Sequence, residues 1–419
     1  MTLLLVAFLV ILALLGIPLF IALGAGSLLA TFNAGLDPAL LAVELNRLAA
    51  SPYLTAIPLF TFAGVILAAG GAPQRMIQLF NALVGWLPGG MAGVALASCA
   101  FFTAFSGASG VTILALGGMM MPMLLHAGYH ERFNLGLLTT SGSLGLLFPP
   151  SLAILLYGIV AGVSIDQMFL AGVVPGLLLI VILGLYCLYI GRRTAAPRHR
   201  FSFSTLAEAL RESVWDMLLP VGVIVGIFGG FVTISEASAC TAIYVLLLES
   251  VIHREIRLVT HLPELLRDTA VLVGSILIIL SVAMGLTNLL IDAQVPMKIL
   301  GWMEAHIDSQ LQFLLLLNVF LLIVGCMMDI FSATVVVVPL ILPIAASYGI
   351  NPVHLGIIFL ANLEIGYSTP PVGINLFIAS QRFGKPVLIL FRSALPFLLL
   401  MLMWLALITY IPAITLWWQ

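Results

Sequence analysis

Four stretches of this chain, residues 3–32, 93–125, 133–165 and 167–191, pass without a single Asp, Glu, Lys or Arg. About 20 helical residues, rising 1.5 Å each, cross a hydrocarbon core of roughly 30 Å, so several of these runs are long enough to cross more than once. Of the 419 residues, 62% are hydrophobic and only 8% are charged, against about 25% charged in a typical soluble domain. So few charges cannot cover a water-exposed surface, and the solvent for most of the chain is lipid. The fold class that follows is an all-α polytopic membrane protein. The net charge of −2 points to no partner, and no basic tract suggests nucleic acid.

The N-terminus lacks a basic n-region and its apolar run is about twice the length of a signal-peptide core, so it reads as a first span. Spans are expected near 3–32, 53–71, 77–98, 134–148, 168–190, 214–231, 237–252, 269–290, 311–327, 353–366 and 388–412, about eleven in all. The stretches between them at 99–124, 149–165, 328–346 and 370–381 are apolar but broken by Gly, Ser, Thr or Pro. Cys99, Cys187, Cys240 and Cys326 stand singly in apolar segments, with neither metal nor disulfide spacing, and read as small buried hydrophobes. Trp86, Trp215, Trp302, Trp404, Trp417 and Trp418 mostly flank spans, as interfacial anchors do. Residues 191–213 form the clearest linker, and together with the loop at 253–268 they hold eight of the fifteen Lys and Arg residues, which places both loops in the cytoplasm. The segment 214–252 must then cross and return, turning at Ser235–Glu236.

An internal repeat carries the most information. Shifting 99–179 by 221 positions onto 320–400 sets Pro122 on Pro343, Pro149 and Pro150 on Pro370 and Pro371, and Pro175 on Pro396. Gly128 falls on Gly349 and Gly145 on Gly366. Paired broken spans of this kind mark the binding region of secondary transporters, because unwound backbone survives in a membrane only where it is buried or lines a cavity. Each double proline removes two amide donors and disfavours helix at the residue before it. The carbonyls of 145–148 and 366–369 are thereby expected to lose helical partners and to be able to turn towards a cation.

Ser106–Gly107–Ala108–Ser109–Gly110 admits three readings: a close-packing face, a hairpin tip whose hydroxyls and amides meet ion and substrate, or the nucleophile of an intramembrane serine protease. The last needs a base within reach, and His126, His130, His199, His253, His261, His306 and His354 all lie in loops or near span ends. Asp329 and Glu364 are costly in apolar segments and are candidates for a structural or a coupling role, as is Glu236 in the break of 214–252. For Glu364 the structural alternative is a carboxylate that accepts backbone amides.

Phe102–Thr–Ala–Phe–Ser–Gly–Ala–Ser, Ser143–Leu–Gly–Leu–Leu–Phe–Pro–Pro–Ser, Gly229–Gly–Phe–Val–Thr–Ile–Ser–Glu–Ala, Gly325–Cys–Met–Met–Asp and Asn362–Leu–Glu–Ile–Gly–Tyr–Ser–Thr–Pro–Pro–Val–Gly–Ile–Asn–Leu resemble the large membrane subunit of tripartite ATP-independent periplasmic (TRAP) transporters, essentially end to end. The third motif departs from the usual family pattern, which has a proline before its Thr–Glu pair. The resemblance implies an elevator-type secondary transporter in the bacterial inner membrane, with an inverted repeat and two re-entrant hairpins, that imports an organic acid of the sialic acid or C4-dicarboxylate class. It implies no cofactor beyond sodium as coupling ion, and two partners: a small four-span membrane subunit and a periplasmic substrate-binding protein. Carried over by motif, the sodium positions are Thr103, Ser106, Gly145, Phe148 and Pro150 in the first half and Gly325, Gly366, Thr369 and Val372 in the second. Ser106, Gly107, Ser109, Ser368 and Asn375 are candidates for substrate contact. On this plan 1–98 are scaffold helices, 99–190 the first transport repeat with hairpin 1, and 191–213 the cytoplasmic linker. Residues 214–319 are then a second scaffold segment and 320–419 the second transport repeat with hairpin 2. A stand-alone dicarboxylate-class anion transporter, coupled to sodium or protons, is the alternative.

The basic loops fix a testable orientation. Arg198→Cys should resist an impermeant thiol reagent added outside intact cells, and efficient labelling there would reverse the topology.

Overall fold

The computed structural model describes residues 19–33, 54–107, 109–194, 201–292 and 309–419, with isolated positions between these segments. The part of the expected first span before residue 19 and the loop residues 195–200 lie outside the described residues. What is described is helical, without a strand. The chain runs through α1 (Leu19–Asn33), α2 (Ala56–Ala69), α3 (Ala72–Val84), α4 (Gly90–Ser106), α5 (Ser109–His126), α6 (Glu131–Ser141), a 3₁₀ turn (Leu144–Leu147), α7 (Leu152–Ala161) and α8 (Ile165–Thr194). It continues through α9 (Phe203–Phe228), α10 (Ile234–Leu247) with a π turn (Leu248–Ile252), α11 (Leu262–Asp292), α12 (Gln310–Met327), α13 (Ile330–Ser347), α14 (Pro352–Gly366), α15 (Ile374–Phe383) and α16 (Val387–Tyr410). Among the described residues six helices are long and apolar enough to cross a membrane, or up to eight if each bent pair is one span.

Three hydropathy readings change on contact with the structure. A single span over 77–98 fails because Pro88 and Gly89 interrupt it: Gly89 takes φ +85°, and α3 and α4 replace the one helix. The linker read over 191–213 is shorter, because α8 runs on to Thr194 and the amphipathic stretch from Phe203 is already α9. Trp404, counted with the interfacial anchors, is fully buried in α16, and its indole Nε1–H donates to the carbonyl of Pro175 at 2.9 Å. Cys99, Cys187 and Cys326 are buried as read, but Cys240 is exposed. Over 214–252 the chain runs out and back: α9 and α10 lie antiparallel, with the Tyr244 hydroxyl donating to the Trp215 carbonyl at 2.7 Å. Their turn ends in a capping box. The Thr233 amide donates to Glu236 at 2.7 Å and the Glu236 amide to the Thr233 hydroxyl at 3.3 Å, which holds this break without the family's usual proline.

The repeat reaches beyond the prolines that reveal it. α5 at 109–126 and α13 at 330–347 coincide after the shift of 221, and α4, α6, α7 and α8 correspond in order to α12, α14, α15 and α16. Gly128 and Gly349 both turn the chain with positive φ, +83° and +74°. The two halves pack crosswise, α5 against α15 and α13 against α7, the reciprocal arrangement that a two-fold axis produces. One difference breaks the symmetry. α4 and α5 fold back along each other as a hairpin, whereas α12 lies along α14 and α13 lies between α7 and α11.

Lipid supplies no hydrophobic force between helices, so close packing and polar contacts must hold them together. Among the described residues the most extended set of ion pairs is a buried cluster between α3, α9 and the π turn. Arg75 of α3 pairs with Asp216 of α9 at 2.7 Å, with Glu249 of the π turn at 2.6 Å and with Glu255 at 3.1 Å. Glu255 also accepts the amide of Gly71, in the bend of 74° between α2 and α3. A Cβ at Gly70 or Gly71 would run into the Glu249 or Glu255 carboxylate, so glycine at this bend lets both carboxylates sit against the backbone. Asp216 and Glu249 are 4% and 0% exposed. Removing the one cation strands both, a change of about 3–5 kcal/mol. Arg75→Met should therefore sharply lower the thermal unfolding temperature in detergent; a midpoint within a degree or two of wild type would show that the cluster carries no such load.

Candidate functional site

In the first half the hairpin between α4 and α5 meets the double-proline break that follows α6. Thr103, with 0% exposure, lies 2.7 Å from the Thr112 hydroxyl across the hairpin and 2.8 Å from both the Cys99 and the Gly142 carbonyls. Its single proton serves one carbonyl at a time, while Thr112 can donate into it. Ser106 lies 3.4 Å from the same Thr112 hydroxyl. At the tip Gly107 takes φ +64°, and a Cβ there would strike Leu152, the first residue of α7. Gly145 packs so closely on α4 that a Cβ would meet the backbone of Ala100 and Ala104 and the Thr103 side chain. Hairpin and break are thus one packed unit.

The break frees fewer carbonyls than the sequence suggests. Gly145 accepts the Phe148 amide at 3.1 Å and Phe148 accepts the Ser151 amide at 3.0 Å, a tight-turn repair. Leu146 and Leu147 keep no local donor, because the residues three ahead of them are Pro149 and Pro150. In the second half Gly366 accepts both the amide and the hydroxyl of Thr369, at 3.0 and 2.9 Å, and Tyr367 accepts the Asn375 amide at 3.0 Å. The amides of Val372 and Gly373 turn away to the Cys326 carbonyl at 3.2 and 3.0 Å, which leaves Ser368 and Thr369 without a helical donor. Both double prolines are joined by a cis peptide bond. Gly366 lies against the backbone of Gly325 and Cys326, as Gly145 lies against α4 in the first half.

Cross-packing brings the halves to one place. A Cβ at Gly110 would touch Ile378, and one at Gly117 would touch Phe383, so α5 and α15 run side by side in the same direction. The hairpin tip with Ser106, Gly107 and Ser109 therefore lies at the same end as the second break with Ser368 and Asn375. Ser368 and Asn375 are wholly buried, and the Ser368 hydroxyl and both amide atoms of Asn375 have no hydrogen-bond partner. The same holds for both oxygens of Glu364, one helical turn before Ser368, so no backbone amide is accepted there. Asp329 caps α13, accepting the amides of Phe331 and Ser332 at 3.0 Å together with the Ser332 hydroxyl. Glu236 is the exposed partner of the capping box, on the α10 side. Pro150 is buried in the first break, Phe148 half-buried, and Val372 exposed in the second.

Sequence reasoning missed Thr112, the Arg75 cluster and a buried polar chain. In that chain Asn362 donates to Asn318 at 2.7 Å, Asn318 donates to Thr409 at 3.2 Å, and His354 lies 3.3 Å from the Thr409 carbonyl and 2.6 Å from the Thr415 hydroxyl. Asn318 in the middle of an otherwise uncharged apolar run was the available clue.

Repeated helical units with paired broken segments, their unsatisfied polar groups gathered at one level, define a secondary transporter of the membrane-embedded kind. The family model for the DctM component of the tripartite ATP-independent periplasmic transporters matches residues 5–414, and the chain belongs to that family. It is thus a transporter component, the large permease subunit of a TRAP system, and not an enzyme; the protease reading of the Gly-Ala-Ser-Gly cluster falls. It is 36% identical to the C4-dicarboxylate TRAP transporter large permease protein DctM of Pseudomonas aeruginosa, over 90% of this chain and 88% of that one. It is 30% identical to the ectoine TRAP transporter large permease protein TeaC of Halomonas elongata, over 99% of this chain and 98% of that one. With the isethionate TRAP transporter permease protein DctMQ of Oleidesulfovibrio alaskensis it shares 34% identity, over 95% of this chain but only 63% of that longer one. The fold matches the YdaH transporter of Alcanivorax borkumensis with a TM-score of 0.60 at 17% identity, over 90% of this chain and 88% of that one.

The glycine contacts give a direct test. Gly366→Ala forces α12 off the second break, because every atom in the way is backbone, at a cost of about 1–3 kcal/mol. Gly274→Ala in α11, where a Cβ meets nothing, is the control. Uptake and thermal stability should fall in the first variant and hold in the second; equal behaviour would refute the close-packing account.

Proposed function

We propose that this chain is the sodium-coupled permease of a three-part importer for small organic acids in the bacterial inner membrane. It works with a small four-span membrane subunit, and a periplasmic binding protein delivers the substrate. The C4-dicarboxylate class is favoured among substrates, since the DctM of Pseudomonas aeruginosa carries that name. The observation that carries the reading is the contact of each proline break with the end of a neighbouring helix, Gly145 on α4 and Gly366 on α12. A cation held there needs oxygens, and among the described residues no group of three or more His, Cys, Asp or Glu side chains is placed to hold a metal ion. In the first half they would come from the backbone of Gly145–Pro150 and the hydroxyls of Thr103 and Ser106. In the second they would come from the backbone of Gly325, Gly366 and Val372 and from Thr369. A carbonyl that already accepts one amide keeps a second lone pair, so the tight-turn bonds at Gly145, Phe148 and Gly366 do not remove them from the set. Ser106, Gly107 and Ser109 from one half and Ser368 and Asn375 from the other would then meet the substrate, with Ser368 and Asn375 supplying polar atoms that have no internal partner. Asp329 and Glu236 serve as helix caps, and Glu364 is the carboxylate available for coupling.

The test is uptake in proteoliposomes containing the permease, its small subunit and the binding protein, under an imposed sodium gradient. Thr369→Ala removes one oxygen from a buried site, about 1–3 kcal/mol, so the sodium half-saturation should rise roughly 5- to 150-fold while Thr369→Ser stays near wild type. The Thr369 hydroxyl also closes a turn by donating to Gly366. If that were its only role, the alanine variant would lose folded yield and keep its sodium dependence, and that result would remove Thr369 from the ion site. Full-rate saturable uptake by the permease alone would overturn the three-part reading.

A further inference from the structure

A cavity of about 380 Å³ lies between α9 and the first half, within the roughly 300–1,000 Å³ of small-molecule sites. Its walls include Phe101, Phe148, Val173 and Leu177, and not one of its lining residues has a polar side chain. An apolar cavity is not held open by water, which needs polar partners. Its mouth is at Leu177 and Ile224, 51% and 39% exposed, on the surface that the chain turns towards hydrocarbon. From Leu177 an exposed apolar strip continues along α8 through Val181, Leu185 and Tyr189 and ends at the exposed Arg192 and Arg193. The fifteen helical steps from Leu177 to Arg192 span about 22 Å along the helix, which equals half of a bilayer of roughly 40–45 Å with its headgroups.

We propose that this is a phospholipid site: one acyl chain enters the cavity, its upper part follows Val181 and Leu185, and its phosphate rests on Arg192 and Arg193. Length, apolar lining and the position of the two cations agree on one occupant. Arginine at this depth pairs with a phosphate while its stem lies along the hydrocarbon. The occupant would touch the Phe148 ring, whose other neighbour is Gly176 of α8, and so would wedge α9 against the first proline break.

The probe is phosphatidylglycerol carrying a photoactivatable diazirine near the end of one acyl chain, reconstituted with the intact permease and its companions, with adducts mapped by peptide mass spectrometry. Adducts should concentrate on peptides holding Phe101, Phe148 and Val173, above those on the outward residues Leu399 and Met403 of α16. Val173→Trp fills the cavity and should cut the cavity adducts about fivefold or more, the loss of one or two buried methylenes, without changing those on α16. Ala97→Phe fills it from the opposite wall and serves as the second variant should the first fail to fold. Arg192→Ala with Arg193→Ala should weaken labelling by phosphatidylglycerol while leaving labelling by a diazirine fatty alcohol, which has no phosphate, unchanged. Labelling no stronger in the cavity than on α16, or undiminished by both filling variants, would overturn the proposal. Loss with the filling variants but not with the arginine variant would overturn the headgroup assignment.

Discussion

A carbonyl without a donor costs little in water and several kcal/mol in hydrocarbon. Much else in this structure answers to that difference. Two proline pairs delete four amides in the middle of apolar segments, and the protein closes what it can with tight-turn bonds at Gly145, Phe148 and Gly366 and with the Asn375 amide, from across the break, at Tyr367. The remainder it encloses. In the second half the Cys326 carbonyl draws in the Val372 and Gly373 amides, and in the first the Thr103 hydroxyl reaches the Gly142 carbonyl. These connections work only if the helix ends approach within backbone contact, and that accounts for glycine at 145, 325 and 366. The same closeness that repairs the backbone gathers its leftover oxygens into one region.

Cross-packing of the halves follows from the same economy of contacts. A broken helix cannot bury its own gap, and the helix following each break lies beside an arm of the other half, α7 with α13 and α15 with α5. Tyr157 and Trp404 reinforce the join with hydrogen bonds to the carbonyls of Pro352 and Pro175. Pro175 lies inside α8, where the ring of an internal proline withholds a donor and disturbs the helical ladder. The indole bonds the carbonyl of Pro175 itself and not that of Ala171, which loses the helical donor, so this bond joins the two halves and does not mend the ladder. Polar contacts of this kind average well under 1–2 kcal/mol each in membrane proteins, so it is their number together with the glycine packing that holds the halves in register.

The repeat and its breaks were legible because proline and glycine act on their own backbone, whatever surrounds them. Pro149, Pro150, Pro370 and Pro371 end helices locally, and the shift of 221 that aligns them also aligns α5 with α13 to the residue. Most helix limits were legible to within a few residues; the exceptions are 85–89, where hydropathy runs on through a turn made by Pro88 and Gly89, and the starts of α9 at Phe203 and α11 at Leu262, where the helix takes in charged residues well before the apolar runs begin. What could not be read is set by distant partners. The tip turns on Gly107 at φ +64° whereas Met328 is extended and Asp329 caps α13, but that α12 finds its partner in α14, so that α12 and α13 part while α4 and α5 pair, is set at a distance. Arg75 meets Asp216 and Glu249 across separations of 141 and 174 positions, and in the sequence each looks like an ordinary charge near a span end. At the candidate site the residue types were legible, but their hydrogen bonds were not: the loss of partners expected for eight carbonyls holds locally for Leu146, Leu147, Ser368 and Thr369.

The departures from symmetry bear on how such a site operates. The first break is closed, with Pro149, Pro150 and Ser151 all buried, whereas Pro370, Pro371 and Val372 of the second are exposed. The first half is bound by hydroxyl and glycine contacts around Thr103. The second has a polar frame, Asn362–Asn318–Thr409–His354, that ties α12, α14 and α16 together behind its break. The exposed second break is tied to α12 through the Val372 and Gly373 amides on the Cys326 carbonyl, whereas the first break is packed between α4, α7 and α8. Two segments alike in sequence thus differ in exposure, and the difference resides in the packing around them and not in the prolines they share.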